Sequence, residues 1–143
     1  MQIRADGTIG FAGGSVESGE TWEAGLRREL LEELNLEVGE SQLEQLHDYQ
    51  VNCGARFYML KVSEAQFYAV EKNVSDALHF GNELLGVTRV PLSIGDSCKG
   101  FATFLRHKFV ATARQDLLEA LQKTGLLSAD YLQAAKQLAD GNC

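Results

Sequence analysis

Three glutamates, Glu29, Glu32 and Glu33, fall within one short stretch of the chain. On a helix, at about 100° per residue, Glu29 and Glu33 stand one turn apart with Glu32 beside them. Ionised carboxylates so placed repel one another, and the helix gains nothing from them without a counter-charge. Hard divalent cations such as Mg²⁺ or Mn²⁺ take oxygen ligands of this kind. Such an ion bridges phosphate oxygens, neutralises charge developing in a transition state and activates water. The chemistry these residues point to is metal-assisted attack of water at a phosphate. Glu32 or Glu33 is a candidate for part of the general-base role, and spacing does not choose between them. Glu20 sits where the helix begins, a position at which the helix dipole favours a carboxylate. It is within reach of Arg28, and the expected work of that pair is to hold the preceding loop against the helix. Gly13 and Gly14 lack a Cβ and let backbone approach a bound ion closely.

A helix from about Thr21 to Leu34 must carry this set. Leu26, Leu30 and Leu34 form its apolar stripe, and the glutamates lie on the adjoining one. Before it, Met1 to Arg4 and Thr8 to Phe11 read as a hairpin about Asp6-Gly7. After it, strands are expected at Leu46–Val51, Ala55–Val62 and Leu84–Val90. A helix starts at Ser63, with Gln66 in the capping-box position, and runs to about Ala77. Phe104 to Lys123 reads as one long helix closed by Gly125, and Ser128 caps a last helix through Asp140. The irregular alternation of strands and helices favours an α/β or α+β sandwich over a bundle.

With 143 residues and 45% hydrophobic content, the chain reads as one globular domain covering residues 1–143. No stretch approaches the roughly 20 apolar residues of a membrane span. Cys53, Cys98 and Cys143 are odd in number and far apart, which suits reduced thiols inside a cell. The net charge of −7 makes a poor non-specific binder of nucleic acid, although bound cations reverse local charge. Neither DNA nor a membrane is therefore an expected partner. Eight glutamates lie between Glu17 and Glu40; a solvated helix face is the bland reading of such a run, and the spacing argues against it.

The segment from Gly14 to Leu36 matches the Nudix box, Gly-x5-Glu-x7-Arg-Glu-U-x-Glu-Glu-x-Gly-U with U aliphatic, at every charged position. Asn35 replaces the last glycine, and Asn is the commonest substitute where a helix closes in the left-handed conformation. Beyond the box, Met1–Gly7, Gly10–Gly14, Gly25–Leu30, Leu85–Leu92 and Ala113–Gln122 resemble the snoRNA-decapping Nudix hydrolases, which are also inosine diphosphatases. The resemblance implies an α/β/α sandwich with a mixed sheet. It implies cleavage of capped snoRNA or mRNA, and of purine nucleoside diphosphates such as IDP and dIDP. By the same resemblance Glu29, Glu32 and Glu33 hold the ion with the Gly13 carbonyl, and Arg4 and Phe11 contact the nucleotide. Asp116 stands where the family has a glutamine that touches the base, and Ala12 replaces a family proline. Nucleus, nucleolus and some cytoplasm are the implied locations.

Only 13 residues precede Gly14, where this subfamily carries several tens, including a purine-contacting histidine. The expectation is a sheet without its usual leading strand or strands, weaker stability, and association through an exposed edge, with a homodimer as one form. A second class of function stands beside the enzyme: a non-catalytic RNA- or protein-binding module on the same scaffold, or an inactive truncated product. A non-catalytic relative of these enzymes has lost most of the box glutamates, whereas this chain keeps them. Glu83, ahead of the Leu84 strand, is a further candidate base. His47, His79 and His107 are scattered, and structural or surface roles are their default. Packing is the default for Trp22, Tyr49, Phe57 and Tyr58. The stripe Leu117, Leu118 and Leu121 reads as core, with a dimer seam as the alternative.

Overall fold

The computed structural model describes residues 1–49, 55–92 and 98–141. The expected hairpin forms β1 (Gln2–Arg4) and β2 (Ile9–Gly10), paired antiparallel with Ile3 opposite Ile9. Asp6 accepts from the Thr8 amide and hydroxyl, and Gly7 takes φ +80°, so both turn residues do what a tight reversal requires. Helix α1 runs Trp22–Leu34, capped by the Thr21 hydroxyl on the Ala24 amide. Two further strands, β3 (Leu43–Tyr49) and β4 (Ala55–Leu60), pair antiparallel. Residues 50 to 54 between them, Cys53 included, lie outside the described residues, as does Cys143. The side chains of His47 and Tyr49 are not described either. Helix α2 (Glu64–Asn73) opens on the full capping box of Ser63 and Gln66, then tightens into a 3₁₀ turn at Val74–Asp76. Strand β5 (Leu84–Val87) completes a sheet in the order β2-β1-β5. Its ladders are antiparallel, and one isolated parallel bridge joins Ile9 to Phe109.

One expected element divides. The long helix from Phe104 to Lys123 is instead α3 (Lys99–Phe104) and α4 (Ala113–Lys123). Between them the Lys108 carbonyl accepts from the Ile9 amide, and the Val110 amide donates to the Ile9 carbonyl. The sheet edge thus claims backbone groups that a continuous helix would have kept for itself. Ala111 turns the chain at φ +43°. Helix α5 (Ala129–Ala139) follows, capped by Ser128 as expected.

Parity along β1 and β2 sorts the helices into layers. Ile9 packs with Phe101, Ala102, Phe104, Leu105, Leu117, Leu121, Leu132 and Ala135 from α3, α4 and α5, the main core. Gln2, on the opposite parity, meets Glu33 of α1. Leu117 and Leu121 belong to this core, with Leu118 partly buried against it. The described residues are thus an α+β fold with helices on both faces of the sheet. None of its described helices is long and apolar enough to cross a membrane.

Candidate active site

Helix α1 needs a defined end if its last turns are to face the sheet. Asn35 supplies it in the left-handed conformation (φ 51°, ψ 40°), with its N–H on the Leu30 and Leu31 carbonyls. Leu30 is buried, and so, on the neighbouring stripe, is Glu33, at 2% exposure. Such a carboxylate needs donors. Its Oε2 takes two: the Gly13 amide at 2.8 Å and Gln2 Nε2 at 3.0 Å. Burial pushes the Glu33 carboxyl above the usual carboxylate range. The two donors pull it back, the charge of Glu29 pushes it further up, and Arg4 draws it down. Glu29 and Arg4 are therefore both within electrostatic reach of Glu33. A Cβ at Gly14 would stand 2.4 Å from Glu29 Oε1, so this glycine is what lets the Glu29 carboxylate lie on the loop.

Arg28 supplies a counter-charge from within the box. Its Nε and Nη2 each donate to Glu20, at 3.2 Å, and Nη2 also reaches the Ser15 carbonyl at 3.0 Å. Nη1 donates to Glu29 Oε1 at 2.8 Å and to Glu32 Oε2 at 3.2 Å. The guanidinium beside it, helped by the Glu17 amide, holds the Glu20 carboxyl below its ordinary range. Glu20 in turn fits over Gly25, where a Cβ would come within 2.9 Å of its Oε2. The loop from Gly14 to Glu20 is thus stitched to α1. Among the described residues no three His, Cys, Asp or Glu side chains are grouped closely enough to hold a metal ion as they stand. The simple picture of three carboxylates converging without a partner gives way to a division: Glu29 and Glu32 share Arg28, and Glu33 turns to β1. The donor set still fits a hard divalent cation. It offers carboxylate oxygens, a buried carboxyl whose described hydrogen bonds all go to one oxygen, and a second carboxylate beside it over a bare glycine.

The sequence comparisons place this geometry. A family model described as Nudt16-like, U8 snoRNA-decapping enzyme-like, matches residues 1–127. The chain belongs to the U8 snoRNA-decapping enzyme-like family. A U8 snoRNA-decapping enzyme of Bos taurus is 39% identical over 135 residues, covering 89% of this chain and 69% of that protein. One from Homalodisca vitripennis is 43% identical over 112 residues, covering 73% of this chain and 60% of that protein. A Tudor-interacting repair regulator protein of Mus musculus is 35% identical over 141 residues, covering 94% of this chain and 66% of that protein.

The other candidate residues are spread over several elements. Arg4 shares a face of β1 with Gln2, and its Nε is buried without a hydrogen-bond partner. It lines an open cleft with Ala5, Asp6, Asn82 and Glu83. Glu83 is exposed there and is tied to β1 through its carbonyl, which accepts from the Ala5 amide. Phe11 is half-buried, edge-on to Phe57 at 4.8 Å between ring centres. Asp116 is buried in the first turn of α4 and accepts from the Thr112 hydroxyl at 2.9 Å. Trp22 carries the Arg56 guanidinium over its ring. A wider depression lined by Arg27, Leu31 and Glu37–Gly39 lies on the opposite side of α1 and holds none of the box carboxylates. Gln2 escaped sequence reasoning. Its one signal was parity: it alternates with Arg4 on a strand whose neighbouring face must cover a carboxylate.

Proposed function

We propose that the chain is a divalent-metal-dependent hydrolase that cleaves a phosphoanhydride in the 5′ cap of RNA, and in purine nucleoside diphosphates such as IDP and dIDP. The observation that carries this reading is the buried Glu33 carboxylate, held through Oε2 by Gly13 and Gln2 and neighboured by Glu29. Glu29 and Glu33 would hold Mg²⁺ or Mn²⁺, joined by Glu32 on leaving Arg28. When bound, the ion supplies charge neutralisation at the phosphate oxygens and acidifies water. Arg4 brings a buried donor without a partner to the cleft beside the site, suited to a phosphate or base acceptor. Phe11 offers an aromatic ring for stacking. Glu83, exposed in the same cleft, is the proposed acceptor of a proton from attacking water. The names of the decapping relatives supply the capped-RNA substrate. The proposed setting is the nucleus.

A non-catalytic binding module is the second reading, favoured by the match to the Tudor-interacting relative. Phosphate release from capped RNA and from IDP, with Mn²⁺ or Mg²⁺, decides between them. Glu33→Gln is expected to lower kcat by on the order of 10²-fold or more. No release by either protein defeats the enzyme reading, and equal release by both defeats Glu33 as the residue that carries it.

A further inference from the structure

We propose that Gln2 is a positioning residue for the metal site, fixing which oxygen of Glu33 is offered to the ion. The inference rests on Glu33 as a ligand, the reading given above. Gln2 is 2% exposed, and its Nε2 lies 3.0 Å from Glu33 Oε2. A carboxylate only accepts, so the amide must turn its nitrogen toward it. That leaves Gln2 Oε1 buried without a hydrogen-bond partner. A buried acceptor left unpaired is costly, and an apolar side chain of the same length would avoid the cost. The donor explains the amide. With the Gly13 amide at 2.8 Å, it occupies Oε2 from two sides, and no described hydrogen bond goes to Oε1. The carboxylate is thereby locked about its last torsion with one oxygen satisfied by protein and the other offered. Partners of this kind orient a metal's ligands. Gln2 also stands two residues from Arg4 on the same face of β1, so one strand sets both a ligand and a substrate donor in register.

The test is a double-mutant cycle on Mn²⁺ affinity, measured by calorimetry, with wild type, Gln2→Met, Glu33→Gln and the double variant. Metal-free melting midpoints are measured for each, and kcat and KM on capped RNA for wild type and Gln2→Met. Gln2→Met removes the donor and the orphaned acceptor together. Its metal-free midpoint is therefore expected to fall by no more than about a few degrees, the lost donor to Glu33 being set against the removed orphan acceptor, while its Mn²⁺ dissociation constant rises about tenfold. Its kcat falls with KM little changed. In the Glu33→Gln background the same change is expected to cost less than about twofold, because Gln2 acts through Glu33. Equal losses in both backgrounds overturn the proposal. So does wild-type affinity in Gln2→Met when Glu33→Gln has lost binding. Wild-type binding by Glu33→Gln overturns the reading of Glu33 as ligand, and this inference with it. Gln2→Glu, of the same shape with an acceptor in place of the donor, is the second variant and is expected to lose at least as much affinity. If both Gln2 variants fail to fold without metal, Gln2 is a core residue and the proposal falls.

Discussion

At the level of single residues, the site turns on who neutralises whom. Arg28 bonds to Glu20, Glu29 and Glu32, and so relieves within the box the repulsion that three adjacent carboxylates create. The pairing of Arg28 with Glu20 was legible from spacing, and its i,i+4 relation to Glu32 on one helix face was open to the same reading; its bond to Glu29 was not, because adjacent helix positions do not face each other. Gly14 shows the same limit. Sequence marks it as a place of close approach to a bound ion, and the structure lays the Glu29 carboxylate against it. Gly14→Ala would drive a Cβ to 2.4 Å from Glu29 Oε1. The obstacle is the carboxylate end of the Glu29 side chain on α1, which must give way to a Cβ on the exposed loop, so the fold should lose about 1 kcal/mol. The displaced carboxylate should weaken Mn²⁺ binding on the order of tenfold. Calorimetry beside a thermal melt checks both; a large loss of stability with affinity intact would contradict the account.

Elements were read well where their punctuation is local. Thr21, Ser63 and Ser128 cap the helices they precede, and Asn35 ends α1 in the left-handed form. The division of α3 from α4 was hidden because its cause is non-local: Ile9, a hundred residues earlier in the chain, bonds to Lys108 and Val110. The docking of β4 on α1 was hidden for the same reason. There the Tyr58 hydroxyl donates to Glu23 Oε1 at 2.7 Å. This bond should leave a pH signature. The hydrogen bond from Tyr58, first among its causes, holds the Glu23 carboxyl below its ordinary value. Its contribution is present above that value and lost as pH falls through the lowered one. Burial, and then the bond itself, push the Tyr58 hydroxyl above its ordinary value of 10.0. Its contribution is present below that value and lost as pH rises through the raised one. The stability difference between wild type and Tyr58→Phe should therefore plateau at about 1 kcal/mol around neutrality and shrink at both extremes. Denaturant titrations across pH measure it. A difference that does not vary with pH would mean that Tyr58 acts through packing alone.

Across the whole molecule, the site is assembled from segments distant in sequence. Gln2 comes from β1, Gly13 and Gly14 from the loop after β2, and Glu29 and Glu33 from α1. None of these segments can present the site alone. The α/β or α+β class followed from the irregular alternation of strands and helices along the chain. Which helix covers which face came only from the structure. An ion bound to Glu29 and Glu33 would bind the native state and not the unfolded chain, so its affinity becomes folding stability. At a hundredfold excess over its dissociation constant, Mn²⁺ should add about 2.7 kcal/mol. For a domain of this size that is roughly 5–15 °C in melting midpoint. The shift should grow with the logarithm of Mn²⁺ concentration and be largely lost in Glu33→Gln. Arg28→Gln gives the opposing control. Freeing Glu29 and Glu32 removes a competitor for their charge, so it should lower the metal-free midpoint yet leave the Mn²⁺-induced rise at least as large. A rise that disappears in Arg28→Gln but persists in Glu33→Gln would place the cation at the Arg28 end of the box, against the buried carboxylate.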